Sequence, residues 1–231
     1  MDNTILLYHG SQRIIDRPHI RGGKPYNDYG YGFYCTEHAD IAREWAVEKE
    51  RDGFCNMYGL DMSGLVVFNL NNGEYTILHW LSVLLENRRF EASSALAREG
   101  RAYITRHFQV DYHSADVIRG YRADDSYFSF ASDFLNGTIS VRQLEEAMYL
   151  GMLGEQIVLK SERAFLQCIF RGYEAVGAQE WFAKKEKRDR DARRQYRERN
   201  KADYVRGDLY LPMLIDGEVG PDDTRLRRIV S

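Results

Sequence analysis

The chain has 231 residues, 44% hydrophobic and 13% aromatic, which suits one large domain or a domain with an appendage and a sizeable core. Its net charge of -3 hides an uneven split: residues 184–206 hold eleven Lys/Arg against five Asp/Glu, a basic segment on an acidic body. No stretch approaches the roughly 20 apolar residues of a membrane span, and the start MDNTILLYHG lacks the basic and apolar regions of a secretory leader. Cys35, Cys55 and Cys168 are odd in number and form no CxxC pair, which speaks against a disulfide framework or a metal site and for a soluble, reducing, cytoplasmic setting.

In chain order, residues 4–8 read as a short buried strand that stops on His9-Gly10-Ser11. Breakers at Arg17-Pro18, Gly22-Gly23 and Lys24-Pro25 predict a long loop, continued by NDYGYG at 27–32. Phe33-Tyr34-Cys35 reads as a short strand. Thr36 is expected to cap a helix running to about Arg51, with Ile41, Ala42, Trp45 and Ala46 on one face and Gly53 as its stop. Strands are expected over 54–60 and 65–70, a helix capped by Thr76, and another over 90–108. Residues 116–118 predict a strand leading into RGYRADDSYF, with a helix from Asp124 or Asp125. Ser140 and Gln143 have capping-box spacing. A strand follows at 155–160, a short helix capped by Ser161, a strand at 169–175, and one charged helix from Ala178 to about Tyr204. The last 25 residues read as irregular. Strands and helices mix without a βαβ order, so the expected class is α+β.

Three stretches carry chemistry. A strand ending in YHGS puts an imidazole at a sheet rim and frees the Gly10 backbone for close approach by a ligand, although His-Gly alone is also an ordinary turn. GYGFYCTEHADIAREWA, residues 30–46, sets Tyr34 at a strand and Trp45 eleven residues later. GEQIVLKSERAFLQCIF, residues 154–170, opens an apolar strand with Glu155, a carboxylate suited to act on a sugar hydroxyl if it lies near the rim that carries His9.

In this order and spacing the three stretches resemble the His–Tyr–Glu motifs of the ADP-ribosyltransferase superfamily, in its poly(ADP-ribose) polymerase-like branch. With RGYRADD included, the chain is more similar still to a bacterial family of uncharacterised domains placed in that superfamily. The resemblance covers residues 4–175 and implies a split antiparallel sheet core with peripheral helices. NAD+ would lie as substrate in the cleft, with no metal. It implies an NAD-binding catalytic domain at 1–176, followed at 177–231 by the basic helix and an irregular tail. His9 would then hydrogen-bond the adenosine ribose and Ser11 a nearby hydroxyl. Gly10 would grip the nicotinamide amide, Tyr34 and Trp45 would sandwich the ring, and Glu155 would bind the 2′-hydroxyl of the nicotinamide ribose. A carboxylate there favours the oxocarbenium-like transition state over the ground state, and two aromatic faces attract the pyridinium cation.

Gln156 beside Glu155 leaves open which of the two faces the substrate, because one residue of register exchanges them. Arg119, Arg122, Asp124 and Asp125 are candidate substrate contacts, the aspartates being equally suited to capping a helix. Arg13, Arg17, Arg21 and Lys24 could meet a pyrophosphate or line a solvated loop. The basic helix suits a nucleic acid, an acidic protein, or the chain's own acidic body. The implied activity is mono-ADP-ribosyl transfer to a protein or nucleic acid, in the manner of a bacterial toxin or phage-defence effector with an antitoxin or regulator. The alternatives are an NAD+ glycohydrolase and an inactive module that binds NAD+, ADP-ribose or nucleic acid.

Overall fold

A computed structural model of the chain describes residues 3–123, 125–150, 154–200 and 204–226, with main chain alone at 125–127 and 200. The architecture is α+β. Its strands are β1 (Thr4–Ser11), β2 (Phe33–Cys35), β3 (Gly53–Asp61), β4 (Val67–Asn69), β5 (Val117–Tyr121), β6 (Glu155–Leu159) and β7 (Cys168–Val176). Its helices are α1 (Ala39–Ala46), α2 (Ile77–Asn87), α3 (Ala95–His107), α4 (Asp125–Leu135), α5 (Val141–Met148), α6 (Glu162–Leu166), α7 (Ala178–Asn200) and α8 (Leu211–Asp216). No helix among the described residues is long and apolar enough to cross a membrane.

The strands form two sheets, ordered β1-β3-β7 and β2-β6-β5-β4. Every pairing is antiparallel except β4 with β5, which is parallel, so the expected all-antiparallel core is corrected at one edge. The inner faces close on Leu7, Tyr58 and Leu60 from one sheet and Phe33, Val117, Ile157 and Leu159 from the other. A larger core joins Ile118 and Val158, on the opposite face of the second sheet, to α2, α3, α4, α5 and α8. The outer face of the first sheet is covered by α1 and the start of α7 through Ala42, Ala46, Cys55 and Ala178. The sheets meet edge to edge at one pair: Tyr8 N–H donates to Thr36 O at 2.8 Å and Thr36 N–H to Tyr8 O at 2.9 Å.

That pair explains the main local difference from the sequence reading. Thr36 gives its backbone to a β-bridge, so α1 starts later, after His38, and ends at Ala46. Gly53 opens β3 and does not stop a helix; a Cβ there would lie 1.8 Å from Ala46 O. The expected strand at 65–70 shrinks to three residues, and α3 begins at Ala95, where Ser94 Oγ accepts from Ala97 N. The Thr76, Ser140 and Ser161 helix starts are as the capping patterns predict. The tail expected to be irregular contains α8, and Leu211, Leu214, Val219 and Leu226 are buried in the larger core. A Cβ on Gly100 of α3 would sit 2.3 Å from Leu211 Cδ2, so α3 and α8 pack closely there and a larger residue would require the Leu211 side chain to move.

The basic helix packs in part on the chain's own body, while Lys184, Lys187, Arg190, Arg194, Arg197 and Arg199 are exposed. Arg188 reaches Glu44 of α1 at 2.7 Å, with both side chains largely buried. Tyr196 stacks on Phe130 at 3.8 Å and donates to Asp133 at 2.5 Å.

Candidate active site

Beyond the Tyr8–Thr36 pair, β1 and β2 part. In an antiparallel strand, backbone groups of alternate residues point the same way. Tyr8 spends its N–H and C=O on Thr36, so Gly10 directs its own away from β3, toward the main chain of Tyr34. Among the described residues no main-chain bond continues the pair. Gly10 is glycine because α1 crosses it closely: a Cβ would lie 1.9 Å from Ala42 O and 2.8 Å from Trp45 Cβ. The same crossing brings Trp45 to the gap.

His9 bridges the parting strands. Its Nδ1–H donates to Tyr34 O at 2.6 Å and its ring rests 4.4 Å from that of Phe33. Burial lowers its pKa, opposed by the bond to Tyr34 O. The carbonyl fixes the tautomer, so neutral His9 presents Nε2 as an acceptor. Tyr34 is fixed at its far end: its hydroxyl donates to Gly30 O at 2.6 Å and accepts from Tyr29 N at 3.0 Å, and burial pushes the phenol pKa up. Ser11 Oγ accepts from Arg13 N at 3.2 Å, closing a local turn.

Tyr34 and Trp45 line a cavity of about 400 Å³, within the range of small-molecule sites. Gln156 shares it, and Glu155 does not. Successive residues of β6 point to opposite faces. Gln156 is buried, and its Nε2 donates to Asp28 Oδ2 at 2.9 Å, which leaves Oε1 as the acceptor the residue offers. Glu155 lies on the inner face with Ile157 and Leu159, the side that faces the sheet bearing His9 and Leu7. There its carboxylate accepts from Asn71 Nδ2 at 3.0 Å and sits 3.5 Å from Arg119 Nε; Arg119 also pairs with Glu37. The fold therefore joins Tyr34, Trp45 and Gln156 at the cavity, leaves Gly10 beside Trp45 but outside the lining, and sets Glu155 and His9 on facing sheet surfaces.

Arg122 also lines the cavity, its guanidinium 4.4 Å from the centre of the Trp45 ring. Asp124 lies outside the described residues, and Asp125 opens α4 with its side chain outside them. Arg13, Arg17, Arg21 and Lys24 are exposed and do not line the cavity.

Sequence reasoning missed three residues. Asp28 accepts from Ala123 N at 2.9 Å as well as from Gln156, and lies 3.4 Å from Arg88. Burial is the largest effect on its pKa and raises it, with the Ala123 N–H and Arg88 opposing. Arg88 reaches the cavity from the end of α2. Lys160 donates to Tyr29 O and Tyr31 O, each at 2.5 Å, holding the loop that anchors the Tyr34 hydroxyl; burial brings its pKa down to about 8. Only Lys160 had a local signal, a cation closing an apolar strand.

Searches of curated proteins and of solved structures return no match. One family model, described as "Protein of unknown function (DUF3990)", matches residues 5–170. That span runs from β1 into β7 and includes His9, Gly10, Tyr34, Trp45, Glu155 and Gln156, and the chain belongs to that family.

Proposed function

We propose that the protein is a mono-ADP-ribosyltransferase that cleaves NAD+ at the nicotinamide–ribose bond and passes ADP-ribose to a macromolecule. The observation that carries this reading is the gap between β1 and β2. A glycine with its amide and carbonyl turned into the gap stands across from Tyr34, with Trp45 against its Cα. A planar ring bearing a carboxamide suits that setting: the carboxamide offers a donor and an acceptor to one backbone edge, and the ring lies on aromatic faces. Two sheets joined at one pair and open beyond it support the split core that the motifs imply.

On this reading Gly10 orients the carboxamide, and Tyr34 and Trp45 hold the pyridinium. As the C1′–N bond breaks, its electron pair leaves with neutral nicotinamide, and positive charge develops on the ribose. Glu155, accepting from the 2′-hydroxyl, favours that charge. The acceptor's nucleophilic atom then forms the new bond to C1′ and gives up its proton. His9 Nε2 accepts from an adenosine ribose hydroxyl. A second reading, a binding module, draws on the placement of Gln156, an amide and not an acid, in the cavity with Tyr34 and Trp45.

Nicotinamide release from NAD+ by the purified protein separates these. It is run alone and with protein, RNA and DNA fractions of a lysate, with label on the ADP-ribose. Label in one fraction is the expected result and identifies the acceptor class. Free ADP-ribose alone makes the protein a glycohydrolase. NAD+ bound with no release makes it a binding module.

A further inference from the structure

The cavity has a wall outside the family match. α7 lends it Lys185, Asp189 and Arg193, at four-residue steps along one helix face. The wall is built in: the largely buried Arg188–Glu44 pair ties α7 to the helix that carries Trp45, and the Tyr196–Phe130 stack ties it to α4. The lining is cationic, with Arg88, Arg122, Lys185 and Arg193 against Asp28 and Asp189. Both carboxylates have nearby guanidinium groups, Asp28 with Arg88 at 3.4 Å and Asp189 with Arg188 at 3.3 Å. Lys185 is half-buried and pairs with no carboxylate among the described residues. A pocket with aromatic walls at one side and cationic side chains of α7 at the other suits a ligand with a planar ring joined to phosphates.

We propose that α7 binds the diphosphate of the dinucleotide through Lys185 and Arg193. This rests on the NAD+ reading of the same site, and it gives the basic helix a role inside the molecule. Fixed ammonium and guanidinium groups form charge-assisted hydrogen bonds to phosphate oxygens.

The test compares Lys185→Ala, Arg193→Ala and the double variant with Lys187→Ala, an exposed lysine of α7 that does not line the cavity. Affinity is measured by calorimetry for ADP-ribose and inorganic pyrophosphate, which carry phosphates, and for nicotinamide riboside, which carries none. Melting curves check folding. The expected result is a loss of about tenfold per residue for the two phosphate ligands. Riboside affinity should be unchanged within about twofold, and Lys187→Ala should match wild type. Unchanged ADP-ribose affinity in the double variant overturns the proposal. Equal loss for the riboside also overturns it, because the effect is then structural, as does equal loss in Lys187→Ala, because it is then general surface charge. Wild-type protein that binds pyrophosphate in a Lys185-dependent way but neither NAD+ nor riboside keeps the anion wall and removes the transferase reading. Wild-type protein that binds none of these removes both.

Discussion

The two faces of β6 differ in kind. On the inner face Glu155 is a partly exposed carboxylate beside Arg119 and Asn71, facing the sheet that carries His9. On the outer face Gln156 is a buried amide held by an aspartate from a distant loop. One residue of register separates a group suited to stabilise a cation from a group suited to read hydrogen bonds. A strand that is polar on both sides at its first two positions puts two chemistries within one peptide unit. The neighbours on each face decide which is used.

The widest contrast comes from changing each residue in turn. Glu155→Ala is expected to cut nicotinamide release by about 100-fold or more while NAD+ affinity stays within a few-fold. Gln156→Ala is expected to weaken NAD+ binding by about tenfold. Steady-state release and calorimetric affinity on the two variants settle the assignment; the opposite pattern exchanges the roles of the faces.

Stability sharpens the same comparison. Asp28→Ala removes a buried carboxylate from Arg88, Gln156 and Ala123 N, and the expected loss is on the order of 3–5 kcal/mol in urea unfolding. Glu155→Ala, on the more exposed face, should cost about 1 kcal/mol or less. Similar costs for both would mean that the outer face is not organised around Asp28. Tyr34→Phe removes one hydroxyl with two partners and should cost about 1 kcal/mol, while a ring that only stacks keeps most of its NAD+ affinity.

The smallest expected effect belongs to His9. Burial lowers its folded pKa below the unfolded value, so the unfolded chain takes up the proton more readily. The contribution is fully present above the unfolded pKa of about 6.5 and is lost as pH falls through the interval down to the folded value. Wild-type stability should decline between pH 7 and pH 5 more steeply than that of His9→Asn. Parallel curves would show that His9 titrates as it does in the unfolded chain.

The elements around the site were legible where the signal was local. Helix α2 shows in its apolar spacing, and α5 in Ser140 and Gln143, whose reciprocal bonds measure 3.1 and 2.8 Å. Gly10, Tyr34 and Trp45 stand in short motifs whose spacing survives without knowledge of the fold. Thr36 was misread because a serine or threonine before a helix suits a cap equally well as a bridge, and only the distant Tyr8 decides. Asp28 was invisible for a stronger reason: Gln156 is 128 residues away, and a turn-rich loop hides a buried acid. Helix α8, at six residues with a proline near its start, is too short to show a period.

The leucines of α8 bear on how far the protein can be shortened. Similarity ends at residue 170, yet Leu211, Leu214 and Leu226 sit in the same core as Trp80 and Val158. Cutting the chain where its family resemblance stops would open a hole beside Gly100 and strand Glu44 in a nearly dry environment without its arginine. The core thus extends past the residues that match the family, and an inactive fragment ending near residue 176 is expected to report a broken core, not a missing activity.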